Sequence, residues 1–158
     1  MDINILDYLD KDSIIIGLKQ KSKKKILAAI LKHLIDKKKI SKDSEKEILK
    51  NLFQREEMGS TAIGGYIALP HARISSIKDI VLCFVVSQEG IEFDSLDQEP
   101  VNIIALLLSN QKEAGLHLKM LAFLARMLRE KYFVQQLKSA TTSEDVLALV
   151  NKQQQLIR

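Results

Sequence analysis

Two apolar runs constrain this chain more than any other feature. Ile80-Val81-Leu82-Cys83-Phe84-Val85-Val86 contains no charged or amide side chain, and in Val101-Asn102-Ile103-Ile104-Ala105-Leu106-Leu107-Leu108 only Asn102 is polar. Each run has the length of a strand, and without polar alternation both of its faces must be buried. A sheet built on such strands is covered on both sides, so the chain has to supply helices in two layers.

Helical periodicity is present where it is needed. From Ser22 as N-cap, Ile26, Leu27, Ile30, Leu31, Leu34 and Ile35 recur at helical spacing, and Lys37 to Lys39 suit the negative end of the helix dipole. A second amphipathic helix opens at Ser44, where Glu47 completes a Ser-x-x-Glu capping box, and it stops before Gly59. Leu116 to Arg129 predicts a third helix, Tyr132 to Leu137 a shorter one, and Thr142 with Asp145 caps a last helix through Val150. Ser13 to Leu18, Tyr66 to Leu69 and Ile91 to Phe93 read as further strands, and Ile3 to Leu9 as a short helix. Pro70 ends its strand or pushes it to an edge, because proline has no N–H for a ladder bond. Strands interleaved with helices on a two-sided sheet predict an α/β fold, a three-layer sandwich with a central β-sheet flanked by helices on both faces. The pattern leaves the strand order open. With 158 residues, 46% hydrophobic content and no internal repeat, the expectation is a single domain over 1–158.

Composition removes several functions. The charge of +4 is concentrated early, with 13 lysines against 8 acids in residues 1 to 50. Lys19, Lys21, Lys23, Lys24 and Lys25 read as the solvated start of a helix, since aromatics for base stacking are scarce and no nucleic-acid signature accompanies them. Attraction to an acidic protein partner is the alternative. Cys83 is the only cysteine and lies in an apolar strand, so neither a disulfide nor a Cys-rich metal site is expected. No apolar run approaches the roughly 20 residues that span a bilayer, and Met1-Asp2-Ile3-Asn4 is acidic where a secretory signal is basic. A cytoplasmic protein without membrane insertion is expected.

The chemistry concentrates between Arg55 and Arg73. This stretch reads Arg-Glu-Glu-Met-Gly-Ser-Thr-Ala-Ile-Gly-Gly-Tyr-Ile-Ala-Leu-Pro-His-Ala-Arg and holds three of the six glycines and one of the three histidines. Gly59 and Gly64 have P-loop spacing, but Gly65 and Tyr66 stand where Lys and Ser/Thr would be required. There is no Gly-x-Ser-x-Gly elbow, and His33, His71 and His117 are too dispersed to suggest a zinc site, so no metal or cofactor is expected. What remains is a histidine acting alone. A neutral imidazole is a good nucleophile near pH 7, and phosphoryl transfer asks mainly for position and positive charge, which Arg55, Arg73 and glycine-freed amides supply. His71 is therefore the candidate phosphoryl acceptor, with a simple strand exit after Pro70 as the bland alternative.

The same stretch resembles the active-site signature of the fructose/mannitol-type (type-2) enzyme IIA domains of the bacterial phosphoenolpyruvate-dependent phosphotransferase system. Similarity continues through Ile91 to Val101 and His117 to Ala122 and favours the stand-alone nitrogen-regulatory branch. The resemblance implies a mixed sheet and a tele-phosphohistidine at His71. It also implies a phosphohistidine donor, HPr or its nitrogen-branch counterpart. It assigns the active-site arginine to Arg55, puts Arg73 where a basic residue is common, and makes His117 an assisting histidine. Geometry alone would read His117, inside the stripe of Leu116, Met120, Leu121, Leu124 and Leu128, as a satisfied core residue.

Gly64, Ser60 and Thr61 are further candidates for the phosphoryl site. Ser60 and Thr61 either donate to the phosphoryl group or hydrogen-bond the loop backbone. Glu56 and Glu57 read as the end of a solvated helix face, with orientation of Arg55 as the alternative, and His33 as a surface residue. The family's Thr-Gly-x-Gly-x-Gly is Thr61-Ala62-Ile63-Gly64-Gly65-Tyr66 here, and if Ala62 or Tyr66 replaces a glycine that needs positive φ the loop must rearrange. The expected function is a phosphocarrier acting mainly as a switch on regulatory target proteins. The alternatives are a sugar-transport IIA that passes phosphoryl to a IIB cysteine and a transfer-inactive binding module of the same fold.

Overall fold

The structure, a computed structural model, describes residues 3–157. Its strands are β1 (Ile14–Ile16), β2 (Ile67–Ala68), β3 (His71–Ile74), β4 (Val81–Ile91) and β5 (Val101–Asn110). Its α-helices are α1 (Lys23–Asp36), α2 (Glu45–Glu57), α3 (Ala114–Leu128), α4 (Lys131–Lys138) and α5 (Ser143–Ile157). β1 runs parallel to β4, β4 antiparallel to β5, and β2 and β3 both parallel to β5, so the sheet is mixed.

The two apolar runs form the central pair, and their side chains divide between two cores by the period of two. Cys83 and Val85 with Ile104, Leu106 and Leu108 pack against Ile26, Ile30, Leu34 and Leu52 of α1 and α2. Leu82, Phe84 and Val86 with Ile103, Ala105 and Leu107 pack against Met120, Leu124, Phe133, Leu137 and Val150 of α3, α4 and α5. Each fully buried aliphatic or aromatic side chain contributes about 1.5 to 3 kcal/mol, so this division is what holds three layers together. Burial pushes the Cys83 thiol up to about 12, which leaves it an inert core group.

The edge strand positions the site. Ile67 pairs with Ile103 and His71 with Leu107, the same offset, so β2 and β3 are one strand interrupted at Leu69-Pro70. Pro70 gives no ladder donor, yet its carbonyl accepts from Leu107 N at 3.0 Å and keeps the register. His71 thus opens β3 in an interrupted edge strand, as a proline that ends its strand or pushes it to an edge requires.

Local capping decides other differences. Ser22 Oγ accepts from Lys25 N at 3.4 Å, and Thr142 Oγ1 from Asp145 N at 3.1 Å, as the caps require. The expected Ser44–Glu47 capping box does not form. Ser44 closes a 3-10 turn over Lys42–Ser44, and the Glu47 carboxylate instead accepts from the amides of Ser75 and Ser76 at 3.1 and 3.2 Å. Ile91 to Phe93 is no separate strand. β4 reaches Ile91 through an irregularity after Val86, where Gly90 has φ +88° and a Cβ would lie 2.8 Å from Pro100. Ile3 to Leu9 holds a 3-10 turn, Ile5–Asp7, whose fully buried Ile5 donates its amide to Gln154 Oε1 at 2.9 Å. Among the described residues no helix is long and apolar enough to cross a membrane.

Candidate active site

The interruption at Pro70 turns the Leu69 carbonyl toward the histidine that follows. His71 Nδ1 lies 2.7 Å from Leu69 O. A carbonyl oxygen can only accept, so Nδ1 carries the proton and Nε2 keeps its lone pair. Burial lowers the His71 pKa most, the hydrogen bond to the Leu69 carbonyl raises it in part, and the smaller effects of the Arg55 charge, which lowers it, and of Glu56, which raises it, leave the net shift downward. The ring is neutral at pH 7, and its free nitrogen is Nε2.

His71 lies in an open depression of about 690 Å³ that is also lined by Arg55, Arg73, Gln111, His117 and Leu121. α3 brings His117 in from the opposite layer, with the two ring centroids 5.6 Å apart and the planes tilted by 53°. His117 is 7% exposed, and its Nδ1 shares a hydrogen bond with the buried Ser109 hydroxyl of β5. Burial, then the neighbouring His71 and Arg73, push its pKa down to about 4. Arg55, on the last turn of α2, donates from Nη1 to Gly59 O at 2.8 Å, and Arg73 Nη1 reaches Gln111 O at 3.4 Å. Arg55, His71 and Arg73 of the glycine-rich stretch and the distant His117 therefore share one cavity. No group of three or more His, Cys, Asp or Glu among the described residues is arranged to hold a metal ion.

Ser60, Thr61 and Gly64 lie outside this depression. Ser60 Oγ donates to Phe93 O at 2.8 Å, and Gly64, at φ +118°, lies against Asp97. Thr61 donates its amide to Glu56 Oε1 at 3.0 Å and its hydroxyl to Glu56 Oε2 at 2.5 Å. Glu56 is the functional neighbour that sequence reasoning missed: it is 8% exposed rather than on a solvated face, and Lys23 Nζ pairs with it at 3.1 Å. Lys23 is likewise no solvated lysine, since it also lies 5.0 Å from the centre of the Phe93 ring. The nearest sequence signal was the position of Glu56 on the stripe of Ile48, Leu49, Leu52 and Phe53. His33, expected at the surface, is half-buried with Nε2 2.8 Å from Asp12 O.

The altered glycines separate cleanly. Ala62 is fully buried and is not among the positive-φ residues, so its methyl simply joins the core. Tyr66 keeps φ at +66°, a left-handed conformation in which a side chain costs about 1 to 2 kcal/mol. The loop retains its turn and carries the strain.

Residues 7–153 match the family described as phosphoenolpyruvate-dependent sugar phosphotransferase system, EIIA 2. The chain is 29% identical over 146 residues to the nitrogen regulatory protein of Bradyrhizobium diazoefficiens, covering 92% of this chain and 94% of that one. The crystal structure of nitrogen regulatory protein IIA-Ntr from Neisseria meningitidis superposes with a TM-score of 0.83 at 29% identity, over 92% of this chain and 98% of that one. Mannitol enzyme IIA of Escherichia coli, solved in complex with its phosphorylated enzyme IIB, shares the fold at a TM-score of 0.73 and 19% identity, over 91% of this chain and 97% of that one. With its mixed sheet, its five helices and these likenesses, the chain belongs to the type-2 enzyme IIA family of the phosphoenolpyruvate-dependent sugar phosphotransferase system, as a phosphocarrier related to the nitrogen regulatory IIA proteins.

Proposed function

We propose that His71 Nε2 accepts a phosphoryl group from the phosphohistidine of an HPr-like donor, and that partner proteins read the phosphorylated and free forms differently. The observation that carries this reading is the 2.7 Å contact between His71 Nδ1 and Leu69 O. It occupies one ring nitrogen and leaves the other free on a ring that lines a cavity with two arginines. In the transfer, Nε2 attacks phosphorus, the N–P bond to the donor histidine breaks, and positive charge develops on the His71 ring. The Leu69 carbonyl stabilises that charge through the Nδ1 proton. Arg55 and Arg73 offset the negative charge on the phosphoryl oxygens.

His117 assists by donating a hydrogen bond. In the tautomer where the Ser109 hydroxyl donates to Nδ1, neutral His117 carries its proton on Nε2, and its depressed pKa keeps it a neutral donor across the physiological range. Ser60, Thr61 and Gly64 act one step back, by shaping the loop that links Arg55 to the edge strand. A phosphorylated His71 adds about two negative charges to an exposed depression, enough to change which partner surface fits.

Incubation with phosphoenolpyruvate, enzyme I and HPr, read by intact mass, tests the carrier role. One acid-labile phosphoryl group per chain that requires all three components supports it. No adduct would leave the chain a transfer-inactive member of the family.

A further inference from the structure

A second cavity, of about 470 Å³, lies between the Gly64-Gly65 turn and the outer face of α3. Its floor is apolar, from Ile63, Ile67, Leu69, Leu128 and Val134, with the small Ala122 and Ala125 leaving room above the helix. Its rim is cationic. Arg126, Arg129 and Lys131 line it, and none of their side chains has an ion-pair or hydrogen-bond partner among the described residues. Asp97, beside the Gly64-Gly65 turn, is turned onto the Gly65 amide at 3.2 Å and the Ser95 hydroxyl at 2.7 Å, and the exposed Glu130, between Arg129 and Lys131 in sequence, is not among the lining residues.

We infer that this cavity is a binding site for a small amphipathic anion, with an apolar body on the Ile67–Leu69 floor and a phosphate or carboxylate among Arg126, Arg129 and Lys131. The volume suits a small ligand, and an apolar pocket with a few convergent polar groups is the usual form of such a site. The charge is complementary to an anion only. The cavity shares no lining residue with the one that holds His71. The two are joined along α3, where Leu121 lines one and Ala122 the other, and through Leu69, part of this floor, which supplies the carbonyl that accepts from His71 Nδ1. An occupant pressed on Leu69 therefore acts on the orientation of the phosphoryl acceptor, and this coupling, unlike the binding itself, rests on the role proposed for His71.

The test is titration of the intact protein with n-hexyl phosphate, followed through the backbone amide signals of Gly64, Gly65, Ala122 and Ala125, with n-hexanol and n-hexylammonium as isosteres. Saturable shifts with hexyl phosphate alone, weakened at least about tenfold in Arg126→Gln/Arg129→Gln, are expected. Ala125→Met, which fills the cavity from an exposed helix face, should abolish them without touching the charges. Equal response to hexylammonium, or undiminished binding in the double variant, overturns the site. If the double variant binds the probe normally but accepts phosphoryl more slowly from HPr, the face is a donor docking surface and the ligand proposal fails. Amide shifts do not depend on phosphorylation, so they stand even if His71 is not the acceptor. A phosphorylation rate unchanged at probe saturation removes the coupling through Leu69.

Discussion

The Leu69 carbonyl oxygen lies 2.7 Å from His71 Nδ1, and this one contact fixes which ring nitrogen keeps its lone pair. It exists because Pro70 interrupts an edge strand without shifting its register against β5. A tautomer fixed by backbone needs no acidic side chain to orient it, which accounts for the neutral and cationic character of the cavity around it.

The acidity of His71 sets a pH profile. Its pKa lies below the ordinary value of 6.5, so the reactive neutral form persists as pH falls through that value. Phosphoryl acceptance, measured as an initial rate against pH with donor held phosphorylated, should fall on acidification with a midpoint below 6.5. A decline centred above 6.5 would contradict the burial argument.

The buried His117 links pH to stability. Its pKa is about 4 in the fold and near 6.5 in an unfolded chain, so the unfolded chain binds the extra proton first as pH falls. The stabilisation is present in full above pH 6.5 and is lost as pH drops toward 4, on the order of 3 kcal/mol in all. Urea midpoints across that window should fall steeply in the parent protein and less steeply in His117→Gln.

Arg55 and Glu56 are neighbours with different duties. Arg55→Ala should retain the fold and slow phosphorylation by about 10- to 100-fold, the worth of one charge-assisted hydrogen bond. Glu56→Ala removes the buried partner of Lys23, which keeps only Asp94 at 3.5 Å, and both anchors of Thr61, and should cost about 3 kcal/mol in urea unfolding as well as rate. Loss of stability in the first variant, or none in the second, would reverse these assignments.

Tyr66 offers a gain. Its φ of +66° costs about 1 to 2 kcal/mol, and its side chain is 46% exposed, so little packing is lost with it. Tyr66→Gly should raise the urea midpoint, and a lowered one would mean that the ring holds the turn.

Period and capping made much of this fold legible in advance. The uninterrupted runs at Val81 and Val101 required a doubly covered sheet, and the Ser22 and Thr142 caps marked where helices begin. Long-range pairing was not legible. Glu47 turned to Ser75 and Ser76, and Glu56 to Thr61 and Lys23, because carboxylates on a helix flank take whatever donors the tertiary fold delivers. His71, Arg55 and Arg73, which share the depression, could be singled out from the glycine-rich stretch, but the contact that orients His71 could not, since it needs the bend at Pro70 and a carbonyl two residues back.

The most direct test is nitrogen NMR of the phosphorylated protein labelled with 15N in its histidines. The account predicts phosphorus coupling to His71 Nε2, with Nδ1 still protonated and protected by the Leu69 carbonyl, and no such signal in His71→Gln. Coupling at His71 Nδ1, or at His117 or His33, would contradict it.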